Sequence, residues 1–414
     1  MGTAPQRLKD SAEAAGDRLR IAHLTATFPP YAGGAGNTAF RFAREQAARG
    51  HDVEVFTALR SELGAEPPRP GAAVVHRIKP LLAYGNAPLI PSMARIEGFD
   101  VVHLHYPFIF GSELTLLGRL RRRRRQQALL VHYKNRLIGK GMRGLLFEAY
   151  EHSIGPALIR AADRICVLSA DHVESVSYLR DLAARDTEKL IEMPNGVDAD
   201  VFSPGPDVAR VRSRHGIPDD ALVCVFVGTL DRAHHFKRVD VAIDAIAATD
   251  DENVHLVVAG GGELLDGFRR RAREAGVGQR THFLGSVPHA ELPNVLRACD
   301  ISLLTTEPPE SFGIVLIEAM ATGLPVVATE YPGVRAIVDN DLTGLLVRAG
   351  DAEAVASAIR ALSSDPQRRL KMGQRGREKA LSEWGWPRLA ERMDAAYDDA
   401  LAARYHRRYQ TERN

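Results

Sequence analysis

What most constrains this chain is a rhythm that runs, stops once, and starts again. Short apolar runs alternate with longer amphipathic stretches. In the first block RLRIAHL (18–24), HDVEVFTA (51–58), DVVHLH (100–105), ALLVHY (128–133) and DRICVLS (163–169) read as buried strands, with a helix expected over about 37–49. In the second block ALVCVFVGTL, NVHLVVAG, RTHFLGSV, DISLLTT, LPVVAT and TGLLV read as strands, with helices starting near Lys237, Glu263, His289, Phe312 and Asp351. Near-continuous apolar strands separated by helical stretches imply α/β architecture, with parallel sheets covered on both faces. The interruption, MPNGVDADVFSPGPD (193–207), carries three prolines and two glycines and reads as a linker.

The expected organisation is a mobile N-terminus (1–18), a first domain (19–193), a linker (194–207), a second domain (208–386) and a last helix (387–414) returning to the first domain. The 414 residues suffice for two such cores. The 54 basic and 52 acidic residues nearly cancel, which argues against a dedicated nucleic-acid binder. Cys166, Cys224 and Cys299 are scattered through apolar runs, poor arithmetic for disulfides or zinc. The N-terminus has no apolar core like that of a signal peptide, and no run approaches the length of a membrane span. A cytoplasmic setting is expected. Arg121–Arg125 reads as a solvated helix end or, less favoured, as a patch for an anionic membrane surface.

The densest chemistry lies in TTEPPESFGIVLIEAMATGLPVVAT (305–329). A strand feeds a turn containing Glu310 and Ser311, and a helix opens at Phe312-Gly313-Ile314. Bare amides at a helix start can hold a phosphate. Glu318, eight residues after Glu310, can accept from a ribose diol, and Glu310 from sugar hydroxyls beyond the phosphate. That order of groups suits ribose, diphosphate and hexose. By spacing alone, two surface glutamates on an ordinary strand-turn-helix fit as well. In FVGTLDRAHHFKRVD (226–240), Arg232 and Lys237 follow a strand end and can neutralise a departing diphosphate. PPYAGGAGN (29–37) sets Gly33, Gly34 and Gly36 at a strand-to-helix turn that is not the dinucleotide pattern. His103 and His105 point the same way along a strand, but no third metal ligand is nearby in sequence. Asp198 and Asp200 form a D-x-D within the linker, away from any strand end. No metal and no cofactor is expected.

Together these segments resemble retaining glycosyltransferases of family 4. The agreement runs in order over about 19–400: the Gly-rich turn, DVVHLH, PNGVD (194–198), the Arg/Lys loop, E-x7-E, TGLLV (343–347) and EW-x-W (383–386). The resemblance implies the GT-B fold, two Rossmann-like doubly wound domains facing each other across a cleft, with a last helix crossing back. It implies that Arg232, Lys237, His132 and Glu310 serve the reaction. Gly33, Gly34, Gly260, Gly261, Val287, Ser311, Phe312, Gly313, Ile314 and Glu318 would hold a nucleotide-sugar donor, expected to be UDP-linked. Lys134, Asn135 and His105 would meet a hydroxylated small-molecule acceptor. One departure is EYPGVRAIV (330–338), with Arg335 where many members carry Glu. The variant loops suggest an aminocyclitol of the antibiotic type as acceptor. The alternatives are a phosphatidylinositol-type lipid reached from the membrane surface, or a silent nucleotide-sugar-binding subunit. Oligomeric state is open.

Overall fold

The computed structural model describes residues 18–30, 34–59, 70–119, 127–137 and 141–413. The expected mobile N-terminus, Gly33 and the Arg121–Arg125 run lie outside the described residues, apart from Arg18. Two compact units emerge: unit 1 is residues 1–167, 182–191 and 390–414, and unit 2 is 168–181 and 192–389.

Unit 1 holds β1 (Arg20–Leu24), β2 (Asp52–Ala58), β3 (Val74–Ile78), a small hairpin of β4 (Leu82–Tyr84) and β5 (Ala87–Leu89), β6 (Val101–Tyr106), β7 (Ala128–Tyr133), β8 (Arg164–Val167) and β9 (Leu190–Glu192). Its seven-stranded sheet runs β3-β2-β1-β6-β7-β8-β9, so the order reverses between β1 and β6. Every residue of β6 and β7 is buried, as parallel strands covered on both faces require. The register sets His23 beside His103 and His105 beside His132.

The last helix, Trp386–Arg413, joins unit 1 from residue 390 through polar ties. Asp394 accepts from His51 at 3.1 Å and pairs with Arg49, the Gln46 amide donates to the Ala390 carbonyl at 3.1 Å, and Arg407 reaches the buried Asp163 at 3.1 Å. Burial works against the Asp394 charge, but His51 and Arg49 hold its carboxyl below the usual range.

Unit 2 holds β10 (Leu222–Val227), β11 (Val254–Ala259), β12 (Thr281–Gly285), β13 (Ile301–Leu304), β14 (Val326–Thr329) and β15 (Gly344–Val347), ordered β12-β11-β10-β13-β14-β15. All the paired strands are parallel, and the order reverses between β10 and β13. The pleat splits β10 between two cores. Leu222, Cys224 and Phe226 pack with the helix Val239–Ala248, while Val223 and Val225 pack with the helix Ile314–Thr322.

The linker is anchored within unit 2. The Val197 amide donates to the Trp384 carbonyl at 2.8 Å, and a Cβ on Gly196 would lie 2.7 Å from the Trp386 ring. The EWGWP break falls at Gly385, whose backbone is extended, with Pro387 in the first turn of the helix that follows. The three cysteines are buried free thiols.

Candidate functional site

In open α/β sheets, ligands bind beyond the carboxyl ends of strands, where the strand order reverses. In unit 2 that point lies between β10 and β13, and the candidate donor residues of this unit lie around it; of the other two, Gly34 opens the helix Gly34–Ala48 of unit 1 and Gly33 is outside the described residues. After β10 the chain passes Gly228 and turns through a 3-10 segment, His235–Lys237. Thr305 and Thr306, just past β13, lash this loop down through their hydroxyls. Thr305 donates to the Arg238 carbonyl at 2.8 Å and Thr306 to the Phe236 carbonyl at 3.1 Å. Arg238, in the left-handed region at φ 52°, is held by Asp240 and Glu307.

Lys237 is thereby fixed facing Glu310, with Nζ 2.9 Å from Oε2. The other Glu310 oxygen accepts the Gly313 amide at 3.2 Å. Burial alone would raise the Glu310 pKa, yet Lys237 and the Phe312 and Gly313 amides outweigh it and hold the carboxyl below its usual range. The amides at this helix start are therefore not bare, as the sequence reading had them. A carboxylate of the chain itself sits where an anion would. Gly313 is in the left-handed region (φ 80°), and a Cβ there would lie 2.7 Å from Leu304. Phe312 is buried edge-on against Trp384.

Glu318 lies on the same helix, 4 % exposed. Its Oε1 is 2.7 Å from His289 Nε2, a partner 29 residues away that the sequence reading did not single out. The glycines of GGGELL meet the ends of neighbouring strands. A Cβ on Gly260 would lie 1.8 Å from the Gly228 carbonyl oxygen, one on Gly261 2.2 Å from Ser286 Oγ, and one on Gly262 2.3 Å from the Leu230 carbonyl oxygen. Only bare backbone fits this crossing. Val287 and Ile314 are partly buried and pack against the same hydrophobic cluster of unit 2.

Arg232 stands apart from this group. Its side chain is 83 % exposed and 3.6 Å from Glu263, so its loop position leaves it available rather than fixed. Arg335 has a structural task in unit 2. It forms a bidentate pair with Asp171, which also accepts the Gly333 amide at 2.7 Å. Gly333 in turn abuts the Ser311 carbonyl.

In unit 1 the order reverses between β1 and β6, and a histidine cluster occupies that place. His23 Nδ1 and His105 Nε2 are 3.0 Å apart, and His103 Nε2 and His132 Nδ1 are 3.4 Å apart. All four rings are buried. Burial first, then Lys134, push His23 down to about 3, and burial, the neighbouring histidines and Lys134 push His103 and His105 well below the ordinary imidazole value. His23, His103 and His105 are therefore neutral at pH 7.

The expectation that His103 and His105 lack a third ligand nearby is corrected here. Strand register brings His23 to them, with one ligand atom of each within 4.8 Å of the others. His23 Nε2 and His105 Nδ1 have no hydrogen-bond partner among the described residues. In the structure His23 Nδ1 and His105 Nε2 are engaged with each other. The D-x-D residues, Asp198 and Asp200, lie by the Val197–Gly385 bridge, and neither belongs to this group.

His105, expected to meet the acceptor, is 3 % exposed in the structure. Lys134, also buried, donates to the Ala35 carbonyl at 2.9 Å, and burial lowers its pKa to about 7. It ties the end of β7 to the first turn of the helix Gly34–Ala48. Asn135 is exposed. Glu151, missed in the sequence, orders the next segment by accepting from Tyr106 at 2.8 Å and from the Leu137 amide at 2.9 Å.

Two Rossmann-like sheets, one ending in glycine crossings and a Lys–Glu pair at a helix start, define a glycosyltransferase of the GT-B class. The model described as Glycosyltransferase Family 4 matches residues 32–201, and that described as Glycosyl transferases group 1 matches 207–379. A D-inositol 3-phosphate glycosyltransferase of Stackebrandtia nassauensis is 31% identical over 90% of this chain and 88% of its own. A GDP-mannose-dependent alpha-(1-6)-phosphatidylinositol monomannoside mannosyltransferase of Mycolicibacterium smegmatis is 30% identical over 89% of this chain and 96% of its own. The solved structure of a sucrose-phosphate synthase from Thermosynechococcus elongatus superposes with a TM-score of 0.75 at 24% identity, over 93% of this chain and 100% of that one. The chain belongs to glycosyltransferase family 4. Among the described residues, no helix is long and apolar enough to cross a membrane.

Proposed function

We propose that this protein moves a hexose from a nucleoside-diphosphate sugar to a hydroxyl of a phosphorylated inositol, with retention at the anomeric carbon. The headgroup of a phosphatidylinositol-type lipid is the favoured acceptor. The observation that carries the donor half is the Lys237–Glu310 pair at the start of the helix that also bears Glu318. Lys237 neutralises charge on the departing diphosphate, Glu318 accepts from the ribose hydroxyls, and the bare backbone at Gly260–Gly262 admits the nucleotide. In the reaction the bond from the anomeric carbon to the diphosphate oxygen breaks. The bond to the acceptor oxygen forms on the same face, and the acceptor's proton passes to the leaving phosphate oxygen. His132 would meet the sugar's hydroxyls, and Arg232 would close on the diphosphate from its exposed loop. No metal is required in this scheme.

The acceptor half rests on the relatives. Both carry inositol in their names, one as a phosphate and one as a lipid. Neither name mentions an aminocyclitol, so the lipid acceptor first held as the alternative displaces the aminocyclitol reading. The donor base stays open between UDP and GDP, one relative's name specifying GDP-mannose.

The test offers UDP- and GDP-hexoses with free inositol phosphate, phosphatidylinositol vesicles or an aminocyclitol, and analyses the product linkage. Transfer to the phosphatidylinositol headgroup with retained configuration is expected. An inverted linkage, or transfer to the aminocyclitol alone, overturns the proposal.

A further inference from the structure

The donor chemistry leaves the buried His23, His103 and His105 unused, and one hydrogen-bonded line joins the last helix to His132 through His103. Tyr397, fully buried on that helix, places its hydroxyl 2.9 Å from His103 Nδ1. His103 Nε2 is 3.4 Å from His132 Nδ1, the two rings lying within 15° of parallel with centroids 5.5 Å apart. Phe42 packs beside both imidazoles, at 5.5 Å from His132 and 6.3 Å from His103. Burial keeps the Tyr397 phenol protonated, its pKa raised well above the ordinary value. His103 is neutral, so it carries one ring proton.

Those facts set the direction of the line. A phenol has one hydrogen to donate, and the structure gives the Tyr397 hydroxyl His103 Nδ1 as partner. Were Nδ1 protonated, the phenol O–H would be a buried donor without an acceptor, the costlier way to leave such a group. The phenol therefore donates to Nδ1. The His103 proton then sits on Nε2 and is directed at His132 Nδ1. His132 accepts there, and its own proton is on Nε2.

We propose that Tyr397, acting through His103, is a positioning residue that holds His132 as its Nε2–H tautomer, so that the ring offers a hydrogen-bond donor to substrate. The benefit to turnover rests on the glycosyl-transfer reading of His132. The tautomer itself does not.

The experiment uses the full chain labelled with 15N-histidine, a long-range proton–nitrogen correlation spectrum at neutral pH, and His132→Gln for assignment. Wild type should show His103 and His132 protonated at Nε2. Tyr397→Phe keeps the ring and removes the donor, so His132 should lose its exclusive Nε2–H form. Turnover should then fall by about tenfold while KM for the donor sugar holds. His103→Phe, a second near-isosteric variant, should shift the His132 tautomer in the same way, with melting curves checking that both variants fold. A wild-type His132 protonated at Nδ1 overturns the proposal, as does an Nε2–H form that persists in both variants. A tautomer shift with unaltered turnover overturns the positioning role. A tautomer shift in a protein whose wild type transfers no sugar supports the relay and places the failure in the glycosyl-transfer reading.

Discussion

Replacing Lys237 with Met tests the centre of the donor site in a way that does not depend on knowing the substrate. At 2.9 Å and an effective dielectric near 20, the attraction between Lys237 and Glu310 is about 6 kcal/mol gross. Desolvation of the two ions takes back a large part of that. What the variant loses is then about 3 kcal/mol at pH 7, because Glu310 stays buried with the helix-start amides but without its cation. For a unit of this size that lowers Tm by roughly 6–12 °C. The pH dependence is the sharper reading. In wild type the Glu310 pKa lies below its ordinary 4.5, so its stabilisation is complete above that value and is lost as pH falls through the folded pKa. In Lys237→Met burial prevails and the folded pKa rises above the ordinary value. The stability gap between the two proteins should be full at pH 7. It should begin to close above pH 4.5 and be nearly gone below the wild-type folded value. Thermal melts of both proteins across that range measure it. Adding Glu310→Gln to Lys237→Met should recover most of the lost stability at pH 7. A gap independent of pH, or a double variant no more stable than the single one, would refute the reasoning.

The remaining predictions are shorter. Glu318→Ala should weaken binding of the donor's nucleotide by about 10- to 100-fold in calorimetry, and an unchanged affinity would remove the ribose role. Gly260→Ala puts a methyl 1.8 Å from the Gly228 carbonyl oxygen, so it should cost about 3 kcal/mol or more in denaturant unfolding, and a loss under about 1 kcal/mol would contradict the crossing. Lys134, lowered to about 7 from 10.5, opposes folding by an amount that is full below pH 7 and relieved as pH rises toward 10.5. The stability of Lys134→Met relative to wild type should therefore decline between pH 7 and pH 10, and a flat or rising difference in Tm would show that Lys134 is not desolvated as described.

Strands such as β6, β7 and β11 were legible because they are buried on both faces and so read as near-continuous apolar runs, whereas β9, a three-residue LIE, was not. β3, VVHRI, was not legible. It is a half-exposed edge strand with a histidine and an arginine in it, and it has no apolar run to read. Helix starts drifted by two or three residues. Lys237 belongs to a 3-10 turn with the helix following at Val239, and His289 precedes a helix that starts at Leu292. At the site, local spacing carried Glu310, Gly313 and Glu318, which share one turn and helix. It did not carry the partners that decide what those groups do. His289 reaches Glu318 from 29 residues away, and Tyr397 reaches His103 from 294 residues away. Such pairs are made by sheet order and helix docking, and no short-range pattern records them. Glu310 as an occupant of its own helix start escaped for a related reason, since spacing shows that amides exist and not what already binds them.

The two glutamates of the E-x7-E segment are the same residue in two electrostatic settings, and that difference bears on how the proposed reaction gains rate. Glu318 faces a histidine that is half-exposed, so its carboxylate can exchange that partner for ribose hydroxyls. Glu310 faces a lysine and the positive end of a helix, so it keeps part of its stabilisation when the lysine turns to another anion. A lysine already matched by a carboxylate draws a resting diphosphate more weakly than an unpaired lysine would. Its pull grows only as the departing phosphate oxygen gains charge and outcompetes Glu310, and the helix-start amides offset part of what Glu310 loses in that exchange. Stabilisation that strengthens as the bond breaks raises turnover rather than ground-state affinity. On the proposed function, Lys237→Met should therefore lower turnover by about 10²-fold while nucleotide affinity changes little. A variant that loses affinity and keeps its turnover would place Lys237 among the binding residues instead.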